Sequence, residues 1–122
     1  MQTQEQQFGM DSESIAVNYL KEHGYQIIKR NYRTKFGEID IIAKDGDTIV
    51  FAEVKARKSR VYNPKEAVTK SKKRKISMVA LYYLKTTRQT NVRARFDVVA
   101  IDSGNGSRSV EILKNAFELT YG

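Results

Sequence analysis

The sequence has no cysteine and a single histidine, His23, among its 122 residues. Without thiols it can form neither disulfides nor thiolate metal sites. With one imidazole it lacks the usual ligands of a zinc centre. The absence of cysteine fits a reducing compartment, so the expected location is cytoplasmic. No apolar run reaches the roughly 18 residues that a membrane helix needs. The opening "MQTQEQQFGM" has no basic segment followed by an apolar one, so it does not read as a secretory signal. Residues 1–9 read instead as a loose polar arm. Acids are scarce: 14 Asp and Glu stand against 22 Lys and Arg, a net charge of +8.

What is present suffices for one core. Hydrophobic residues make up 40% of the chain, and the expectation is a single domain over residues 1–122. A small basic domain most often meets a polyanion, with nucleic acid the commonest candidate. Ten of the 22 Lys and Arg lie between Lys55 and Lys75, against one acid, Glu66. The bland reading of such a run is a solvated helix face. A membrane surface fits less well, because the run lacks large apolar residues opposite its lysines.

The segment "DSESIAVNYLKEHG" reads as a helix, capped by Asp11 or Ser12 and ended by Gly24. Ile15, Ala16, Tyr19 and Leu20 form its apolar stripe. A first strand follows over about 25–33. "GEIDIIAK" and "DTIVFAEVKA" are two further strands joined around Asp45-Gly46, a hairpin signal. Asn63, Pro64 and Glu66 have the pattern of a helix start, and that helix is expected to run to about Leu84. "ARFDVVAID" is a fourth strand, and "VEIL" a short last one. The order is α-β-β-β-α-β with an extra strand. The fold class is α/β, a mixed central sheet flanked by helices. Strands two and three are expected antiparallel, with strand four brought in parallel to strand three by the second helix.

The hairpin holds the sequence's main anomaly. "EIDIIAKDGDTIVFAEVK" sets Glu38, Asp40, Glu53 and Lys55 among core-forming residues, where uncompensated charge is costly. A turn at Asp45-Gly46 puts Asp40 opposite Phe51 and diagonal to Glu53. A turn at Gly46-Asp47 puts Asp40 directly opposite Glu53. Both registers place Asp40, Glu53 and Lys55 on one face, with β-carbons about 5–8 Å apart. Two such carboxylates repel, and one takes up a proton unless a cation lies between them. Mg²⁺ or Mn²⁺ would relieve this with oxygen ligands at about 2.1 Å, and the carbonyl of Val54 is a further candidate ligand. Lys55 would then hold the attacking water and offset transition-state charge. The plain alternative is a cross-strand ion pair.

"GEIDIIA" followed by "IVFAEVKAR" resembles the signature of the YraN-like family of small bacterial proteins. That family resembles in turn the PD-(D/E)XK nucleases, including Holliday-junction resolvases and restriction endonucleases. The likeness extends over about residues 9–102. It implies a restriction-endonuclease-like αβββαβ core and Mg²⁺-dependent phosphodiester cleavage. By position, Asp40 and Glu53 would be metal ligands, Lys55 the catalytic lysine, and Glu13 the first-helix carboxylate directed at the metal. Ser12 stands where the family often has glycine. Resolvase-like members are often dimers, so a homodimer is the implied state.

Other residues carry two readings each. Glu13 suits the helix dipole but lies on the border of the apolar stripe. Lys72 shares a helical row with Val68, Ile76, Val79 and Tyr83, so it either snorkels to solvent or reaches a bound phosphate. Lys70, Lys73, Arg74 and Lys75 point outward in this reading and touch phosphates, as do Arg57, Lys58 and Arg60 after the third strand. Tyr32, Tyr62, Tyr82 and Tyr83 are core residues or stacking residues. His23 is read as a helix C-terminal residue. The expected function is a metal-dependent endonuclease on DNA with a branched feature; the alternative is a non-catalytic nucleic-acid-binding module.

Overall fold

The computed structural model describes residues 4–57, 69–89, 91–102 and 108–117, with the side chains of residues 4–11 and Arg57 left out. Among the described residues two helices and five strands follow in the order α1 (Gln4–Glu22), β1 (Gln26–Thr34), β2 (Gly37–Asp45), β3 (Thr48–Arg57), α2 (Lys70–Thr86), β4 (Arg93–Asp102) and β5 (Ser109–Phe117). The strands form one sheet in the order β1-β2-β3-β4-β5. Only β3 and β4 are parallel; the other neighbours run antiparallel. This is the expected α/β architecture, an αβββαβ core of restriction-endonuclease type with one added edge strand.

Each face of the sheet has its own core. Ala16, Val17 and Leu20 of α1 pack with Tyr25, Ile41, Val50, Ala52 and Val99. Ile76, Val79, Ala80 and Tyr83 of α2 pack with Ile39, Ile42, Phe51, Phe96 and Val98 on the other face. The central strands β3 and β4 are covered on both sides, which is why they read as nearly unbroken apolar runs.

The ends of the elements follow local chemistry. Gly24 has φ +87. Its N–H bonds the Lys21 carbonyl while Tyr25 N–H reaches the Leu20 carbonyl, a Schellman end that only a left-handed residue allows. The start of α1 departs from expectation. Gln4–Gly9, read as part of an arm, belong to the helix, so neither Asp11 nor Ser12 caps it; Ser12 is buried instead. The start of α2 departs too. Thr69 is extended and is the N-cap, its hydroxyl accepting from Lys72 N–H. A helix running unbroken from Asn63 to Leu84 is therefore excluded. Asn63, Pro64 and Glu66 themselves lie outside the described residues.

Asp45 pairs with Thr48, which makes Gly46-Asp47 the turn and selects the second of the two expected registers. Gly46 has φ +60, the left-handed value that a II′ hairpin requires at its first central position. The pairing stops at Ile41↔Ala52, one position short of Asp40 and Glu53.

Candidate active site

Alternation along β2 breaks at Asp40. Ile39 packs on the α2 side, while Ile41, two residues on, packs on the α1 side. In a regular strand these two would share a face. Across on β1, Tyr32 pairs with Ile39 and Arg30 with Ile41. The residue between them, Asn31, has φ +50, a left-handed conformation that asparagine tolerates better than most residues. Both strands thus bend at the same level. The bend turns Asp40 toward β3, where its Oδ2 accepts the Val54 N–H at 2.8 Å.

Glu53 and Lys55 follow one another on one face of β3. Glu53 is buried, at 8% exposure. Lys72, from the first turn of α2, brings its Nζ to 2.8 Å from Glu53 Oε1. Lys55 Nζ lies 4.0 Å from the same oxygen. Two carboxylates and two ammonium groups therefore meet at the middle of the sheet, beside the beginning of α2.

The electrostatics are unbalanced. Burial, reinforced by the charge of Glu53, pushes the Asp40 carboxyl up to about 6. Its hydrogen bond from Val54 opposes this without reversing it. Burial and the neighbouring Lys72 hold the Lys55 ammonium below its ordinary value. Burial works against Lys72 as well, but the hydrogen bond to Glu53 lifts it above its ordinary value. Lys72 is thus the cation committed to Glu53, and Lys55 is the one more readily deprotonated.

The residues named from sequence are distributed unevenly. Asp40, Glu53, Lys55 and Lys72 come together. Glu13 stands beside them on α1, close enough for its charge to raise Asp40, but its Oε1 accepts from Arg30 Nε at 3.2 Å. Glu38 makes an exposed cross-strand pair with Arg33 at 2.8 Å, which accounts for this fourth charge without the site. Lys70, Arg74 and Lys75 are exposed. Lys73 is half-buried, its Nζ 5.8 Å from the Phe117 ring centroid. Tyr83 is core and Tyr32 stacks edge-on against it, whereas Tyr82 is 42% exposed. His23 donates to the Tyr19 carbonyl from Nδ1 and stacks on that ring, as a helix-terminal residue would. Arg57 ends β3. Its side chain lies outside the described part, as do Lys58, Arg60, Tyr62 and Val68.

A second charged network was not anticipated. Asp97 of β4 is fully buried and accepts from Arg95 Nε at 3.0 and 3.1 Å, from Asn115 N–H at 3.1 Å, and from the Tyr25 hydroxyl at 3.5 Å. Arg95 Nη2 also donates to Tyr25 at 2.7 Å and to Asp45 at 2.8 Å. The signal for it was the same as for the hairpin: an acid inside the apolar run "FDVVAI".

The first cluster's donor set suits a hard divalent cation in kind. It offers two carboxylates, one of them destabilised as an anion, and such a cation is commonly held by one or two carboxylates plus substrate oxygens. Among the described residues no three His, Cys, Asp or Glu are close enough to hold a metal ion by themselves. Glu13, held by Arg30, does not complete a trio. No described helix is long and apolar enough to cross a membrane.

Comparison with known proteins gives the chain a family. The chain is 50% identical over 121 residues to a UPF0102 protein of Syntrophus aciditrophicus, covering 98% of this chain and 95% of the relative. It is 51% identical over 119 residues to one from Desulfosudis oleivorans, covering 97% and 95%. One from Rhodococcus opacus is 45% identical over 111 residues, covering 89% and 94%. The pattern of the uncharacterised protein family UPF0102, the YraN family, matches residues 12–101, a span that includes Glu13, Asp40, Glu53, Lys55 and Lys72, and the chain belongs to that family.

Proposed function

We propose that this protein is a metal-dependent nuclease of the cytoplasm, hydrolysing phosphodiester bonds in DNA with a branched or otherwise structured feature. One observation carries the reading: Asp40 and Glu53 converge at the middle of the sheet with two lysines against them. Asp40, Glu53 and the Val54 carbonyl would hold Mg²⁺ or Mn²⁺, with Glu13 in reserve on α1. When bound, the metal would supply charge neutralisation at the phosphate and lower the pKa of a coordinated water.

The chain's own groups have distinct tasks in this reading. Asp40 is kept in place by the Val54 N–H. Lys55, held below its ordinary pKa, takes the proton of the attacking water or positions that water. Lys72 balances Glu53 until substrate arrives and then offers its charge to the phosphate. The acid-free stretch Lys70–Lys75 supplies sequence-independent, salt-sensitive affinity.

The pairing of Lys72 with Glu53 also favours a second reading, a non-catalytic nucleic-acid-binding module, because the ammonium already neutralises one carboxylate. Incubation of branched and linear DNA with Mg²⁺ or Mn²⁺ separates the two. Cleavage that falls about 100-fold or more in Asp40→Ala and Glu53→Ala, with DNA binding kept, supports the enzyme. Binding with no cleavage under either metal supports the module. A homodimer is part of the first reading, and sedimentation of the chain with and without a DNA junction tests it.

A further inference from the structure

α2 carries six cations, Lys70, Lys72, Lys73, Arg74, Lys75 and Lys85, and no acid. Its exposed side also carries Met78 and Tyr82, 38% and 42% exposed. Tyr82 meets Phe36 edge-on, with ring centroids 6.0 Å apart. Lys35 Nζ lies 5.3 Å from the Phe36 centroid. The segment after Phe36 runs close under the helix: a Cβ on Gly37 would lie 3.7 Å from Val79 and 3.9 Å from Lys75. The acid at this corner, Glu38, is engaged by Arg33.

The corner therefore combines two aromatic rings with a positive field. An acidic protein would use the field but has no general need of aromatic faces. An unpaired nucleotide uses both, because its base stacks on an aromatic ring while its phosphate meets lysine. A fully paired duplex buries its base faces and would use only the cations. Along α2, Tyr82 is ten residues from Lys72, about 15 Å at the helical rise. Lys75 lies between them.

We propose that Phe36 and Tyr82 form a stacking platform for the unpaired bases of single-stranded or branched nucleic acid, whose adjoining phosphates follow α2 to Lys72 and the Asp40–Glu53 site. The proposal rests on the nucleic-acid reading above and deepens it: it makes strand opening, rather than base sequence, the feature recognised.

The test is binding without metal, so that it is independent of cleavage. Fluorescence anisotropy would follow the whole chain in EDTA against labelled oligothymidylate, a duplex of equal length and a fork joining the two. The wild-type chain is expected to prefer the single strand and the fork. Tyr82→Ala should weaken those two roughly 5- to 100-fold and the duplex less than about twofold. Tyr82→Phe should bind like wild type. Tyr82 is exposed, so the variant's folding can be checked by its thermal unfolding. Equal losses on all three DNAs, or no loss on any, would overturn the platform while leaving the nuclease reading intact. A wild-type chain that binds none of the three at low salt would overturn both.

Discussion

Asp40 and Asp97 are both strand carboxylates inside one sheet, and they are held in opposite ways. Asp97, on the face covered by α1, has no exposure and takes hydrogen bonds from Arg95, Asn115 and the more distant Tyr25 hydroxyl. Arg95 in turn is shared between Asp97, Tyr25 and Asp45. Burial and the Asp97 charge push the Tyr25 phenol above its ordinary value, so Tyr25 stays a neutral donor. Asp40 accepts the Val54 N–H and faces another carboxylate, and it is pushed up to about 6. One cluster closes its charges and fixes the sheet. The other leaves them in tension.

The comparison can be broken most severely at Arg95. Arg95→Met strands the Asp97 charge in the interior. It should cost about 3–5 kcal/mol, read as a lower urea midpoint. A loss under about 1 kcal/mol would show that the Asp97 network is not structural.

Asp40→Asn should act in the opposite direction. A carboxyl whose folded pKa is raised binds a proton more tightly folded than unfolded. Its contribution is therefore fully present below the unfolded value of about 3.9 and is lost as pH rises through about 6. At pH 8 the asparagine variant should be more stable than wild type by up to about 3 kcal/mol, and near pH 3.5 the two should coincide. Urea unfolding at both pH values measures this, and equal stability at pH 8 would contradict the tension assigned to Asp40.

The smallest of these effects sharpens the role of Lys72. Removing its ammonium from Glu53 leaves that carboxylate with the more distant Lys55, at 4.0 Å, and opens it to an added cation. Lys72→Met should bind Mn²⁺ roughly tenfold more tightly than wild type, a difference of about 1.4 kcal/mol, by calorimetry without DNA. Unchanged affinity would mean that Lys72 does not compete for the site.

The legible parts of the fold were those set by local pattern. Period-2 spacing gave the strands, and both possible turns put Asp40 with Glu53. Gly24 ended α1 as its left-handed φ requires. The α2 start was misread because Asn63-Pro64 is a strong cap signal, while Thr69 looks ordinary until its hydroxyl meets Lys72 N–H. The bend at Asn31 and Asp40 left no local mark, since a positive φ at asparagine is permitted rather than announced. Lys72 was visible as a break in an apolar row, but its partner was not. The Asp97 network was missed because Arg95, Tyr25 and Asp45 are far apart in the chain.

The amino-acid sequence by itself determined the order of elements, the excess of positive charge and the placement of two carboxylates and a lysine on facing strands. These depend on periodicity and composition, which act over a few residues. The tertiary structure decided which charges meet. Packing α2 on the sheet brought Lys72 to Glu53, the paired bend in β1 and β2 aimed Asp40 at Val54, and Arg30 drew Glu13 aside. Electrostatic energy depends on distance and burial, and both are set only when distant segments pack together.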